Sequence, residues 1–513
     1  MLFNSCEFIF GFLPLTFITF FVLGHWKQKA AMTWLSAASI GFYAWWSIKY
    51  VPLLLLSAVF NFTVAKLIIA AREDPIRGWI KALLWVGIGG DLALLGYYKY
   101  ASFFVDNIDT LLGLNWTISE IFLPLGISFF TFTQIAFLVD ASQGEAEAKA
   151  ISPYLLFVTY FPHLLAGPII HHKQVMPQFQ TPSTYRISYP NLAAGFAFFT
   201  VGLAKKVLIA DEIAPIANAF FSIHNLPPMT AAWVGAIAYT LQLYFDFSGY
   251  SDMAIGISWM FNINLPTNFN SPYKSASIID FWHRWHMTLS AFLRDYLYIP
   301  LGGNRKGPKR RYVNLYITML LGGLWHGAGW TFVIWGGLHG LYLAINHMWR
   351  TAVPNRPTGV VYRLSCWALT CTCVAVAWVF FRAPNVTTAF HIAAGMFGFN
   401  GLGLQKEQFS AAFGTPPRKL DIGVIVTALG IACFLPNTQE IVAALARRRQ
   451  LTEITSGTKL FIMVLRKYTR FAHRVNWVLS TNGATAGGIA LGLLLFICVS
   501  RLNHVSEFIY YQF

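Results

Sequence analysis

The chain has 513 residues, of which 56% are hydrophobic and 11% charged, and its 37 Lys and Arg against 21 Asp and Glu leave a formal net charge of +16. Soluble domains carry about a quarter charged residues, so this composition excludes an ordinary soluble enzyme. A mean hydropathy of +0.53 and 17% aromatic residues also exclude a disordered or collagen-like chain. What remains is an integral membrane protein, whose length divides into spans of about 20 apolar residues.

In chain order, Met1–Leu23 is apolar from its first residue, carries Glu7 where a secretory leader has basic charge, and meets Lys27 and Lys29 only at its end. It reads as a span with Met1 outside, not as a removable leader. Further apolar stretches follow at roughly 30–47, 50–71, 82–98, 121–139, 153–170, 191–221, 229–263, 313–349 (long enough for two spans), 361–381, 420–436 and 485–500. The fold class is therefore all-α and polytopic, with about a dozen membrane segments. No repeat of 20–50 residues interrupts this pattern.

The basic residues gather in short clusters between the apolar runs: Arg72, Arg77 and Lys81; Arg305, Lys306, Lys309, Arg310 and Arg311; Arg447, Arg448 and Arg449. Cytoplasmic loops carry such clusters, so the charge orients the chain in the bilayer and does not mark a nucleic-acid surface. The 446–474 segment is expected in the cytoplasm, and residues 503–513 on the outer side. The six cysteines contain no CxxC pair and indicate neither a disulfide framework nor a zinc site.

Ionisable residues at membrane depth are functional candidates by default. His326 lies in the glycine-rich run Leu320–Trp330, fifteen residues beyond Arg311. A helix would set it about 22 Å from the cytoplasmic end, inside a hydrocarbon core about 30 Å thick. Gly322, Gly323, Gly327 and Gly329 admit another backbone or a ligand close to it. A buried, hydrogen-bonded core histidine is the rival reading at this stage.

The 267–311 stretch is rich in charge, His, Trp and turn residues and reads as an interfacial or re-entrant segment. On a helix, Asp280, His283 and His286 would share one face at three-residue spacing. Zinc hydrolases place a glutamate between histidines four apart, which is absent here, so no metal is expected. Gly167–His172 reads as a helix-ending turn with exposed histidines. Asp246 and Asp252, beside hydroxyls in an apolar run, must face a cavity or a polar partner.

Together Phe245–Asp252, Asn268–Tyr273, Asp280–His286, Leu293–Arg305 and Leu320–Gly327 resemble the membrane-bound O-acyltransferase (MBOAT) family over most of the chain, most densely over 245–340. Within the family the chain is similar to the bacterial branch that includes the alginate O-acetyltransferase membrane subunit. The resemblance implies a helical fold with interfacial or re-entrant helices and a central tunnel. It divides the chain into N-terminal spans (1–240), a catalytic core (241–350) and C-terminal helices (351–513). It places the family's invariant histidine on His326 and its second functional histidine on His286. Asp280, Trp325, Arg294, Asp295, Asp246 and Asp252 are expected as tunnel or structural support.

Phe508–Phe513 resembles an aromatic motif whose tyrosine accepts an acyl group in a related system, which makes Tyr510 the acceptor candidate; the alternative is an aromatic belt at the membrane interface. The expected reaction uses acetyl-CoA as substrate, with no bound cofactor. Its donor would dock near Arg305, Lys306, Lys309, Arg310 and Arg311, whose charge attracts phosphates. Periplasmic acetyltransferase-type partners and a polysaccharide acceptor follow, in a bacterial inner membrane. D-alanyl transfer and non-enzymatic transport remain the alternatives.

Overall fold

The protein is described by a computed structural model covering residues 1–73, 78–113, 116, 119, 121–222, 226–403, 405–413, 419–446, 483–502 and 508–509. Most of the 446–474 segment, Arg77 and Tyr510 lie outside the described residues. Within those residues the chain forms helices and connecting turns, with no strand. Such a fold meets the demand of the bilayer that every backbone polar group be satisfied within the protein.

Among the described residues, five helices are long and apolar enough to cross a membrane: Glu7–Trp26, Ile48–Glu73, Trp79–Leu112, Tyr189–Ser222 and Val360–Arg382. Val386–Met396, Asp421–Phe434 and Gly487–Ser500 are shorter apolar helices. The 313–349 run does split in two, into Gly307–His326 and Trp330–Ala352, with the break at Gly327–Gly329. The 82–98 run continues through a π-helical turn at Gly96–Tyr100 as far as Leu112. By contrast, 153–170 is not one span. Its first helix ends at Thr159, Pro162 opens a short turn of helix, and the chain then runs buried to Ile170.

The centre of the protein is the 32-residue helix Met229–Met260. It is buried without interruption from Ala238 to Ser258, so its polar residues face protein and not lipid. It lies against the Tyr189–Ser222 helix by glycine contact at two levels. A Cβ on Gly195 would lie 2.5 Å from the Gly256 carbonyl oxygen, and one on Gly202 would lie 2.6 Å from that of Gly249. Both pairs are seven residues apart on their own helices, so they recur on one face and let the two backbones touch.

The glycines around His326 work in the same way. A Cβ on Gly323 would lie 2.3 Å from the Phe332 carbonyl oxygen, and one on Gly336 would lie 2.3 Å from that of Met319. Gly323 and Gly336 thus serve the close approach of the Gly307–His326 and Trp330–Ala352 helices, which decides between the two uses left open by the sequence. Gly336→Ala is expected to destabilise the protein by about 1–3 kcal/mol through overpacking. Gly430, which has no neighbour within 4 Å of its Cβ position, is expected to accept alanine without loss. Thermal unfolding of the detergent-purified chain distinguishes the two.

Candidate active site

The segment between the central helix and Gly307 enters the protein and turns back. Ser277 caps the short helix Ile278–Trp282, accepting from the Asp280 N–H. His283 ends that helix, and the chain then turns, so Asp280, His283 and His286 do not share one helical face. Asp280 instead pairs with Arg284 at 3.0 Å. His286 takes φ +42°, the left-handed region that costs a residue with a Cβ about 1–3 kcal/mol.

Asn268 holds that turn. Its backbone carbonyl accepts from the Met287 N–H at 2.9 Å, and its side-chain oxygen lies 3.1 Å from His286 Nδ1 and 2.9 Å from the Thr288 hydroxyl. Because an amide oxygen only accepts, Nδ1 carries the proton and Nε2 is the basic nitrogen of the neutral ring. Asn268 is itself anchored, donating to Ser251 Oγ on the central helix at 3.3 Å. His286 is fully buried, its ring 4.8 Å from that of Phe247.

His326 is the last residue of Gly307–His326 and is buried. Its ring lies 4.9 Å from Trp325, 5.1 Å from Trp335, 5.1 Å from Phe381 and 6.3 Å from His286. Two histidines from separate elements therefore meet in an aromatic enclosure. A third buried histidine, His339, stands beside Trp335 at 4.9 Å, and its Nδ1 accepts from Trp282 Nε1 at 3.2 Å. It was missed from the sequence, although Gly336-Gly337-Leu338-His339-Gly340 echoes the glycine-rich pattern around His326.

A cavity of about 230 Å³ adjoins this enclosure, lined by Met1, Trp46, Lys99, Ser128, Trp325 and His326 among others. Of the support residues expected from the sequence, Trp325 alone lines it. Lys99 was also missed. It is a single cation between apolar runs, on the π-helical turn Gly96–Tyr100, and its ammonium donates to the carbonyls of Trp325 (2.7 Å) and His326 (3.0 Å). Beside it, the Tyr100 hydroxyl donates to the Leu324 carbonyl at 2.8 Å. One turn thus serves three carbonyls that the end of the His326 helix leaves open.

Asp246 and Asp252 find the polar partners their setting demanded. Lys206 Nζ lies 2.6 Å from Asp246 and 2.9 Å from Asp211, and Lys205 Nζ lies 2.6 Å from Asp252. Asp252 also accepts from the Thr438 hydroxyl at 2.5 Å, and Asp246 from the Ile509 N–H at 3.0 Å. Phe508 stacks on Tyr250 with centroids 4.6 Å apart and is buried. Phe508 and Ile509 are therefore part of the core and not of an aromatic belt, because buried Asp246 offers a backbone partner that lipid does not.

The remaining expected residues lie apart from the cavity. Arg305, Lys306, Lys309 and Arg310 are exposed at the start of the His326 helix, while Arg311 is half-buried and reaches His347 Nδ1 at 2.5 Å. At 1.5 Å per residue that helix sets Lys309 and Arg310 about 24–26 Å from His326. Arg294 and Asp295 form an exposed pair with each other at 2.7 Å. Their neighbour Tyr296 turns inward, donating to Asp140 at 3.0 Å.

His171 and His172 are half-buried and buried, not exposed as the turn suggested. Their Nε2 and Nδ1 atoms and the Asp140 carboxylate lie within 4.8 Å of one another, a set of donor types that also suits a metal ion. His171 Nδ1, however, accepts from the Lys173 N–H, so Nε2 is the protonated nitrogen and donates to Asp140 at 2.7 Å. That proton placement fits a hydrogen-bonded clamp on Tyr296 better than a set of metal ligands.

The membrane-bound O-acyltransferase family profile matches residues 113–381. The chain is 42% identical to the peptidoglycan O-acetyltransferase of Helicobacter pylori over 79% of its own length and 81% of that protein. It is 40% identical to the probable alginate O-acetylase AlgI of Pseudomonas aeruginosa over 85% of its length and 81% of that protein. The teichoic acid D-alanyltransferase of Streptococcus thermophilus is 30% identical over 44% of this chain and 57% of that protein.

Asp246→Ala is expected to destabilise the protein by about 3–5 kcal/mol, because it removes a carboxylate partner from the buried Lys206. Asp295→Ala, which removes an exposed partner, should cost no more than about 1 kcal/mol. Thermal unfolding of the two purified variants makes the comparison.

Proposed function

The chain belongs to the membrane-bound O-acyltransferase family, and on that premise we propose that it moves an acetyl group from cytoplasmic acetyl-CoA toward the hydroxyls of a polysaccharide outside the membrane. As a multi-pass acyltransferase it is set apart from a transporter that performs no chemistry. The observation that carries the reading is the meeting of His326 and His286 beside a cavity, at the far end of a helix that begins in an exposed basic cluster. The names of the two O-acetyl-transferring relatives, aligned over about four fifths of each chain, supply the acetyl group and the polymer class. The D-alanyl-transferring relative aligns over less than half of this chain and ranks below them.

In this mechanism His326 is the general base. It takes the proton from an acceptor hydroxyl as the oxygen attacks the thioester carbonyl, and returns it to the departing thiolate, so that ester and free thiol are formed. Histidine suits this because its ordinary pKa of about 6.5 allows both steps near neutral pH. His286, oriented by Asn268, positions the donor or assists the proton transfer. Arg305, Lys306, Lys309 and Arg310 attract the phosphates of the donor, and no bound cofactor is required.

Tyr510 is the proposed covalent relay: it follows directly on Ile509, whose N–H is held by Asp246. An extracytoplasmic acetyltransferase-type partner then esterifies the polysaccharide, and the setting is a bacterial inner membrane.

Membranes containing the full chain and given radiolabelled acetyl-CoA are expected to label polymer. His326→Ala should lower that labelling at least about 100-fold with the protein still in the membrane, and unchanged labelling overturns the assignment. Tyr510→Phe should abolish polymer labelling together with the thiol release that accompanies it, because the attacking hydroxyl is gone; full labelling would remove the relay.

A further inference from the structure

Lys99 lies half-buried beside the end of the His326 helix. Charges withdrawn from water are ordinarily paired because desolvating them is costly: Lys205 sits on Asp252 and Lys206 on Asp246 and Asp211. Among the described residues Lys99 makes no ion pair. Two of its three N–H groups go to the carbonyls of Trp325 and His326 at 2.7 and 3.0 Å, and the third to Ser128 Oγ at a long 3.4 Å. Its ammonium also sits 5.9 Å from the centre of the Trp325 ring.

Lys99, Ser128 and His326 line the same cavity. A lysine amine facing that space, with no carboxylate beside it among the described residues, is complementary to an anion that is present only while the reaction proceeds. We infer that Lys99, with the Ser128 hydroxyl, stabilises the oxyanion formed at the acyl carbon when the acceptor attacks beside His326.

This role rests on the acyl-transfer reading above. The acceptor O–H adds to the thioester carbonyl, its proton passes to His326, and the electron pair of the carbonyl moves onto oxygen. The third N–H of Lys99 turns from Ser128 to that oxygen. Collapse of the intermediate restores the carbonyl and breaks the carbon–sulfur bond, and the thiolate recovers the proton from His326. Preorganised donors of this kind act on the transition state and leave ground-state binding nearly unchanged.

The test is thiol release from acetyl-CoA in membranes that contain the full chain and label polymer, so that the acceptor turns over, with Tyr100→Phe as the structural control, since Tyr100 caps the same helix end without charge. Lys99→Met is expected to lower kcat by about 100-fold to 1,000-fold with KM within about threefold. Lys99→Arg should recover part of the loss, and Tyr100→Phe should stay within about threefold of the unaltered protein. A Lys99→Met protein with unchanged kcat overturns the role. So does an equal loss in Tyr100→Phe, or a loss that only follows the folded fraction measured by thermal unfolding. If the unaltered chain releases no thiol, the acyl-donor reading fails and this role with it, whereas loss in Lys99→Met alone leaves both standing.

Discussion

Everything in the interior depends on the contact between two helix backbones. Gly195 and Gly202 lie on the carbonyls of Gly256 and Gly249, which brings the Tyr189–Ser222 and Met229–Met260 helices closer than side chains would permit. Hydrophobic attraction does not distinguish helix from lipid in a bilayer, so association relies on close packing and on polar contacts across it. The glycines supply the first and Lys205 and Lys206, reaching Asp252 and Asp246, supply the second. Each device needs the other: the ion pairs form only at this short separation, and an unpaired carboxylate at this depth would work against the fold.

The central helix then organises the chemistry on its other faces. Ser251 receives Asn268, and Asn268 shapes the turn on which His286 sits, while Phe247 stands edge-on to the His286 ring. Asp252 and Asp246 meanwhile hold Thr438 and Ile509 from the C-terminal part of the chain. The two histidines are presented by different means. His286 is held by a strained turn and a side-chain amide, and His326 by a helix end whose carbonyls are satisfied by Lys99 and Tyr100.

Much of this was legible in the residue order. The basic cluster at 305–311 and the glycine-rich run read as the two ends of one helix, and Gly307–His326 is that helix. The setting of Asp246 and Asp252 demanded polar partners, and Lys206 and Lys205 are those partners. Periodicity misled at 280–286, because Asn268, many residues earlier in the chain, overrides a helical continuation there. It misled again at His171 and His172, where a turn that looked exposed is covered by Asp140 and Tyr296. Lys99 escaped notice because a single lysine at the edge of an apolar run also fits an interfacial anchor, and its partners are carbonyls more than two hundred residues away.

By itself the sequence determined the helical membrane class, the orientation signal in its basic loops, and the scarcity of ionisable groups at depth that singled out His326. Those properties follow from composition and local spacing, which the bilayer acts on directly. Only the tertiary structure decided that His286 and His326 meet, that Lys99 faces the same cavity, and that Phe508 and Ile509 belong to the core. These are contacts between segments far apart in the chain, created by the glycine-mediated approach of helices and by buried polar groups that had to find partners.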